Sequence, residues 1–280
     1  MPMKSILYIG EKKDFSDRWL ISQLKNFYKI IFLDISKSPK LSPKFSKKEV
    51  NLVVNRLYAS AIDCYGKPKI SAILNLITKL ASSGIPVINS PNGYRVEINR
   101  VVQFKYFRSQ KLPYIETRKY RNNPSFLKSN IFYVIKNISS SRHKKLLIIK
   151  NKREVLKLKP FGLNQVIFQP LINKKISYRT EFVGNWYATF SQHLKVQNNH
   201  SGFTYGKILT TPLSSSFLKK VIKSVNYLGI RAFSIEYFLV NRRPIIIDFN
   251  CTSNYPFFFI KKVGKDLKKA WLKLIQNEIS

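Results

Sequence analysis

Residues 235–254 read Ile-Glu-Tyr-Phe-Leu-Val-Asn-Arg-Arg-Pro-Ile-Ile-Ile-Asp-Phe-Asn-Cys-Thr-Ser-Asn. Two runs rich in β-branched and aromatic residues flank a turn at 241–244, the pattern of a β-hairpin. Successive side chains on a strand point to opposite faces, so Asp248 and Asn250 share a face. The hairpin can bring Glu236 opposite them. Three oxygen ligands at the end of an apolar hairpin suit a hard divalent cation such as magnesium. The chain has only 14 acidic residues, so two of them in an apolar hairpin point to a use. On spacing alone, a turn with polar strand ends fits equally well.

The flanking segments extend the pattern. Residues 215–228 read as a helix with serines at 214–216 to cap it and Gly229 to end it. Residues 258–277 form a Lys-rich amphipathic helix with Val263, Leu267, Trp271 and Leu274 on one face, expected to pack on the C-terminal sheet. Upstream, residues 180–183 and 186–191 read as strands around a turn at Gly184-Asn185. Residues 166–172 and 132–136 are further strands, and 92–112 one helix closing at Lys111-Leu112-Pro113. Towards the N-terminus, strands at 5–9, 29–34, 50–55 and 85–89 alternate with helices at 14–27 and 69–82, with a loop at 36–48. That alternation argues for a small parallel sheet with helices on its faces. Ligands of such sheets lie beyond the carboxyl ends of the strands, where Asn55, Arg56 and Asn89 stand. Arg56 is equally readable as a surface charge. No Gly-x-Gly-x-x-Gly is present, so a dinucleotide site of that type is unsupported.

Composition bounds the rest. A chain of 280 residues with 44% hydrophobic residues can bury ample core in one large or two smaller domains. No apolar run is long enough to span a bilayer, and the Lys-rich start carries no apolar signal segment. Cys64 and Cys251 stand far apart, which fits a reducing cytoplasm and not a disulfide framework. The formal charge of +36 would attract polyanions. Basic residues are spread along the chain together with abundant Asn and Ile, so compositional bias with a solvated surface is the alternative. A basic nucleic-acid-associated protein is a further alternative, but no nucleic-acid-binding motif is present, and any such binding is expected to be weak and non-specific.

The order of these pieces resembles the ATP-grasp ligases, in particular the glutathione synthetase and RimK-like branch, over roughly residues 50–255. Glu236 stands twelve residues before Asp248-Phe249-Asn250, where those ligases carry an acid and then Glu-x-Asn. Cys251-Thr252-Ser253 resembles the run that follows. The resemblance implies an N-terminal α/β parallel-sheet domain at 1–91 followed by an α+β ATP-grasp domain at 92–280. The latter would comprise a small lid subdomain at about 113–172 and a metal-binding subdomain at about 173–280. It implies a cytoplasmic ATP- and Mg2+-dependent (or Mn2+-dependent) ligase that joins the carboxylate and amine of small-molecule or peptide substrates through an acyl phosphate. Glu236, Asp248 and Asn250 would hold the metal, and Arg100 and Lys136 the phosphates. Gln169 and Leu171 would lie on the strand that meets adenine, and Arg179 near the transferred group. Two departures stand out. The loop at 137–145 has no glycine where the ligases have a Gly-rich loop, so closure on phosphate would fall to serines and to Arg142, Lys144 and Lys145. A second arginine of the family falls here on Gln192 or His193. Both departures favour the alternative of a catalytically impaired, nucleotide-binding or scaffold remnant.

Overall fold

The computed structural model describes residues 3–37, 45, 48–120, 127–128, 131–138, 147–149, 154–155, 166–197 and 200–280. Strands β1 (Ser5–Gly10), β2 (Lys29–Asp34), β3 (Leu52–Asn55) and β4 (Val87–Ile88) form a parallel sheet in the order β2-β1-β3-β4. The central strands are apolar on both sides, as a sheet covered on both faces requires. Ile6, Tyr8, Leu52 and Val54 pack under helix α1 (Phe15–Leu24). Leu7, Ile9 and Val53 pack against α2 (Ala61–Tyr65) and α3 (Lys67–Ser82). Asp14 caps α1 by accepting from the Ser16 and Asp17 amides.

The single helix expected over 92–112 is two helices. α4 (Pro91–Glu97) ends before Asn99, and α5 (Arg100–Ser109) begins after it. Asn99 is extended (φ −139°), and its side chain accepts from the Val101 and Val102 amides. Asparagine competes with the helix backbone in mid-helix but stabilises an N-terminus, so the chain restarts there. The restart places Arg100 in the first turn of α5.

A second sheet is antiparallel, in the order β5-β8-β6-β7: β5 (Arg118–Lys119), β6 (Tyr133–Asn137), β7 (Leu147–Ile149) and β8 (Val166–Pro170). The third sheet is antiparallel with five strands, ordered β11-β10-β9-β12-β13. These are β9 (Ile176–Val183), β10 (Trp186–Gln197), β11 (His200–Leu209), β12 (Ala232–Val240) and β13 (Arg243–Asn250). The strand expected at 186–191 thus runs further, and β11 is additional. Its start, His-Ser-Gly-Phe-Thr-Tyr-Gly-Lys, has two glycines and no aliphatic residue, a weak signal for a strand.

One face of the five-stranded sheet buries Phe182, Phe233, Ile235, Tyr237 and Phe249 with Phe107 of α5 and Leu218 and Val221 of α6 (Ser215–Asn226). The other face carries Val183, Phe190 and Ala232 against α7 (Phe257–Ile279). Phe259, Trp271 and Ile275 of α7 share that core with Tyr8 and Val54. The last helix therefore fills the space between two sheets, not the C-terminal sheet alone. Among the described residues no helix is long and apolar enough to cross a membrane.

Two junctions fix the sheets around the site. Asn89, in the left-handed region at φ 67°, donates to the Ala232 and Cys251 carbonyls and accepts from the Arg231 and Ala232 amides. Asn55 donates to the Asn89 carbonyl. These strand-end amides, placed where a ligand was expected, join the parallel sheet to the five-stranded one. On the far side, Ile115 N–H donates to the Ile246 carbonyl, and Ile246 N–H to that of Pro113. The segment leading into the small sheet is thereby tied to β13.

Candidate functional site

The hairpin of β12 and β13 turns on Asn241 and Arg242, both with positive φ (50° and 61°). That two-residue turn matches the twist of the strands. It pairs Val240 with Arg243 and Tyr237 with Ile246. Continued without interruption, the register would place Ile247 opposite Glu236 and turn Asp248 to the other face. A bulge between Glu236 and Tyr237 shifts it by one, so Glu236 pairs with Asp248 and Ser234 with Asn250. The extra residue lets Ile246 and Phe249, three apart and both 0% exposed, bury on the same side. Bulges re-aim side chains in this way near functional sites. Glu236, Asp248 and Asn250 consequently share the face opposite the α5–α6 core.

β9 adds the next layer. Arg179 pairs with Glu236, and Glu181 with Ser234. Arg179 Nη1 donates to Glu236 at 3.1 Å, and its Nε to Glu181 at 2.7 Å. Arg100 reaches the same face from α5: Nη2 donates to Asp248 at 3.1 Å and Nη1 to the Asn137 carbonyl at 3.1 Å, while its amide donates to Ile138. The end of β6 is thereby held against the hairpin, and Lys136 enters the field of Arg100, Asp248 and Glu236. Burial, reinforced by Arg100 and opposed by the two carboxylates, lowers the Lys136 pKa to about 8. Burial raises the Glu236 pKa; Arg179 counters this and Asp248 adds to it. Burial works against the charge on Arg179, but Glu181 and Glu236 together hold its pKa above the usual value.

The other residues singled out in the sequence lie as follows. Gln169 is buried, and its amide donates to Thr117 Oγ1 at 2.9 Å, joining β8 to the segment before β5. The Leu171 amide donates to the Phe132 carbonyl at 2.7 Å. Pro170 before it has no N–H to donate. Arg56 is not a surface charge: it is 3% exposed, paired with Asp17 and bonded through Nη2 to the Ser253 carbonyl at 2.8 Å. Of the two residues at the far end of the β9–β10 hairpin, Gln192 lies two positions from Phe190, the partner of Arg179, and shares its face. Gln192 is buried beside Ser177, whose hydroxyl donates to it at 3.4 Å. His193 is exposed on the opposite face. The loop cluster of Ser139–Ser141, Arg142, Lys144 and Lys145 lies outside the described residues. Glu181 escaped the sequence reading; its place two residues after Arg179, on the same strand face, was the available signal.

Among the described residues no three His, Cys, Asp or Glu side chains gather as a metal site. The donor set here is two carboxylates and one amide. It fits magnesium, which keeps water and phosphate oxygens in much of its shell and asks the protein for one or two carboxylates. Each carboxylate is met in this structure by a guanidinium, so the pair already draws cationic charge. Arg100, Lys136 and Arg179 stand among Glu181, Glu236 and Asp248, and after burial the charge of Arg100 is part of what depresses Lys136. Guanidinium and ammonium groups are strong phosphate partners, so an anion could meet them as a cation meets the carboxylates.

No protein-family model and no curated protein matches the sequence. Solved structures do resemble the fold along its whole length. The ATP-grasp ligase PsnB, complexed with a phosphomimetic variant of a minimal precursor, Mg and ADP, superposes with TM-score 0.74 at 12% identity, covering 98% of this chain and 99% of that one. A RiPP-associated ATP-grasp ligase of Chryseobacterium gregarium, in complex with ADP and a leader and core peptide, gives 0.71 at 16% identity, covering 98% and 97%. D-alanine–D-alanine ligase from Bacillus anthracis gives 0.69 at 13%, covering 99% and 97%. The likeness shows that the chain has the ATP-grasp fold, an α/β parallel sheet followed by antiparallel α+β layers.

Proposed function

We propose that the protein is an ATP- and magnesium-dependent ligase that joins a carboxylate to an amine, on a peptide or small-molecule substrate, through an acyl phosphate. The observation that carries the reading is the convergence of Arg100, Lys136 and Arg179 on Glu236 and Asp248, where α5, β6 and the five-stranded sheet meet. In this reading Arg100 and Lys136 bind the phosphates, and Arg179 lies beside the group in transfer. Glu236, Asp248 and Asn250 hold magnesium (or manganese), which supplies charge neutralisation at the phosphates. The Leu171 carbonyl contributes to the base site, and Gln169 keeps that strand in place through Thr117. Residues 1–91 form the N-terminal domain, and 92–280 clasp the nucleotide between subdomains at about 113–172 and 173–280. In the reaction a substrate carboxylate oxygen bonds to the γ-phosphorus as ADP leaves. An amine nitrogen then bonds to the acyl carbon as phosphate leaves. Positioning and electrostatics do most of the work in phosphoryl transfer, and these side chains offer both.

Gln192 favours a second reading. A neutral, buried amide stands on the face of Arg179 where the resemblance places a second cation, as in a protein that binds nucleotide without turnover. A thermal-shift titration with ATP and Mg2+ tests the site common to both readings. Binding to the native state alone raises the melting temperature by mass action. No shift at millimolar nucleotide would remove the ligase reading. A shift without ADP production across carboxylate and amine substrates would favour the second.

A further inference from the structure

Glu181 has no part in the reading above, yet it is a carboxylate at 0% exposure on the face that carries the site. Val183, two residues on, packs with Ala232 and Phe190 against α7. An apolar side chain at 181 would extend that packing without the cost of desolvating a charge. What compensates Glu181 is Arg179. One guanidinium is shared between two carboxylates, Nε on Glu181 and Nη1 on Glu236. Ser253 stands beside the Glu181 carboxylate, and Ser234 lies opposite it on β12, so the far side of Glu181 is polar too.

Resting on the magnesium reading of Glu236 and Asp248, we infer that Glu181 is a positioning residue that keeps Arg179 paired and fixed when Glu236 turns to a divalent cation. A divalent cation on Glu236 would draw on the same carboxylate charge that holds Arg179 and would repel its guanidinium. With Glu236 as its single carboxylate, Arg179 would face two poor outcomes. It could stay on Glu236 and exclude the cation, or stay buried at 11% side-chain exposure with no counter-charge. Uncompensated buried charge is the costlier state. Glu181 removes the conflict because its bond is to Nε, leaving both Nη groups free to exchange partners. Arg179 then keeps its orientation along the sheet face and presents its Nη groups to the anion that arrives with the cation. Glu181 itself, buried beneath Arg179, touches neither.

The test measures Mn2+ uptake by electron paramagnetic resonance in the presence of a β,γ-imido ATP analogue, a readout independent of turnover. Wild type, Glu181→Gln, Arg179→Met and the double variant form a cycle. Glu181→Gln is expected to weaken Mn2+ binding about tenfold and to leave metal-free analogue binding within about twofold. In the Arg179→Met background the same change is expected to cost about twofold or less. Equal losses in both backgrounds, or no loss in either, would overturn the role of Glu181, since an effect on Mn2+ that does not pass through Arg179 is not positioning. Should Glu181→Gln fail to fold, Glu181→Asp keeps the charge at shorter reach and is expected to give a smaller loss that again vanishes with Arg179→Met. A wild type that takes up neither analogue nor Mn2+ would overturn the proposed function itself. Normal uptake with a wild-type-like Glu181→Gln overturns only the positioning role.

Discussion

Lys136 should make nucleotide binding depend on pH in a direction that the nucleotide alone would not give. Burial and Arg100 lower its pKa to about 8 in the free protein. Phosphates arriving beside it add negative charge and raise that value, so binding above about pH 8 must be accompanied by proton uptake. With a bound-state pKa above about 10, affinity is flat below the free-state value and falls about tenfold between about pH 7 and about pH 9, or about 1.4 kcal/mol. Phosphate ionisation works the other way, because a more highly charged nucleotide binds cations better. The assay is calorimetric titration of ATP with Mg2+ at about pH 8.5 in two buffers of different ionisation enthalpy. Roughly three-quarters of a proton should be taken up there, the unprotonated fraction of a group with pKa about 8. Lys136→Met should abolish the uptake along with much of the affinity. Zero uptake, affinity that rises through this window, or a Lys136→Met protein with the same pH profile would refute the placement of Lys136 against phosphate. The sign for the free protein is also fixed. Lys136 titrates lower folded than unfolded, so its protonated form opposes folding at neutral pH. That penalty is relieved as pH rises from about 8 towards the model-compound value of 10.5.

Asp248→Asn should abolish the magnesium dependence of nucleotide binding while leaving the circular-dichroism spectrum of the fold; unchanged affinity with Mg2+ would make the hairpin merely structural. Asp17→Asn strands the buried Arg56 charge and should cost about 3–5 kcal/mol in urea unfolding; a cost under about 1 kcal/mol would deny that pairing. Phe249→Ala removes a fully buried ring packed on Phe107 and Phe233. It should cost about 3–5 kcal/mol and weaken Mg2+-dependent nucleotide binding although Phe249 faces away from the site, because it anchors the shifted register; intact binding at full stability loss would sink the register argument. Binding to single-stranded nucleic acid, followed by fluorescence anisotropy, should be non-specific and fade steeply with salt; sequence-selective binding at physiological salt would contradict the function proposed here.

The parallel sheet and the hairpin were legible because their apolar residues keep a strand period and glycine or asparagine marks the turns. The bulge was not. Three consecutive isoleucines at 245–247 erase the alternation, so nothing local says which residue is extra; the decision is made by Phe249 burying on the side of Ile246. Asn99 carried its signal openly, but a helical count through 92–112 overrode its preference for a cap. Glu181 looked like an ordinary polar residue on a half-exposed strand. Its burial depends on Ser253 and α7, brought from far along the chain, and no periodicity reports such closure. Arg56 stayed undecided between cleft and surface for the same reason, since its partners Asp17 and Ser253 meet it only in the folded chain.

Positive charge is distributed differently on the surface and in the interior. Lysine occupies positions open to solvent, as exposed Lys261, Lys265, Lys269 and Lys273 on α7 show. Among the described residues, the cations bonded to carboxylates in the interior follow another rule: Arg56 with Asp17, Arg100 with Asp248 and Arg179 with Glu181 and Glu236 are all arginine. Arginine is the better choice where a charge is buried and several donors must be held in fixed directions, because its guanidinium is planar, less strongly hydrated and able to serve two partners at once. Arg56, Arg100 and Arg179 each use that capacity, bridging a carboxylate to a carbonyl or to a second carboxylate. A lysine at these positions would leave a point charge unable to hold both partners in place. The acids are as telling as the cations, because in a chain with 14 of them four stand in these interior pairings. Directional pairing accounts for these interior arginines, and two of the three, Arg100 and Arg179, stand at the candidate site.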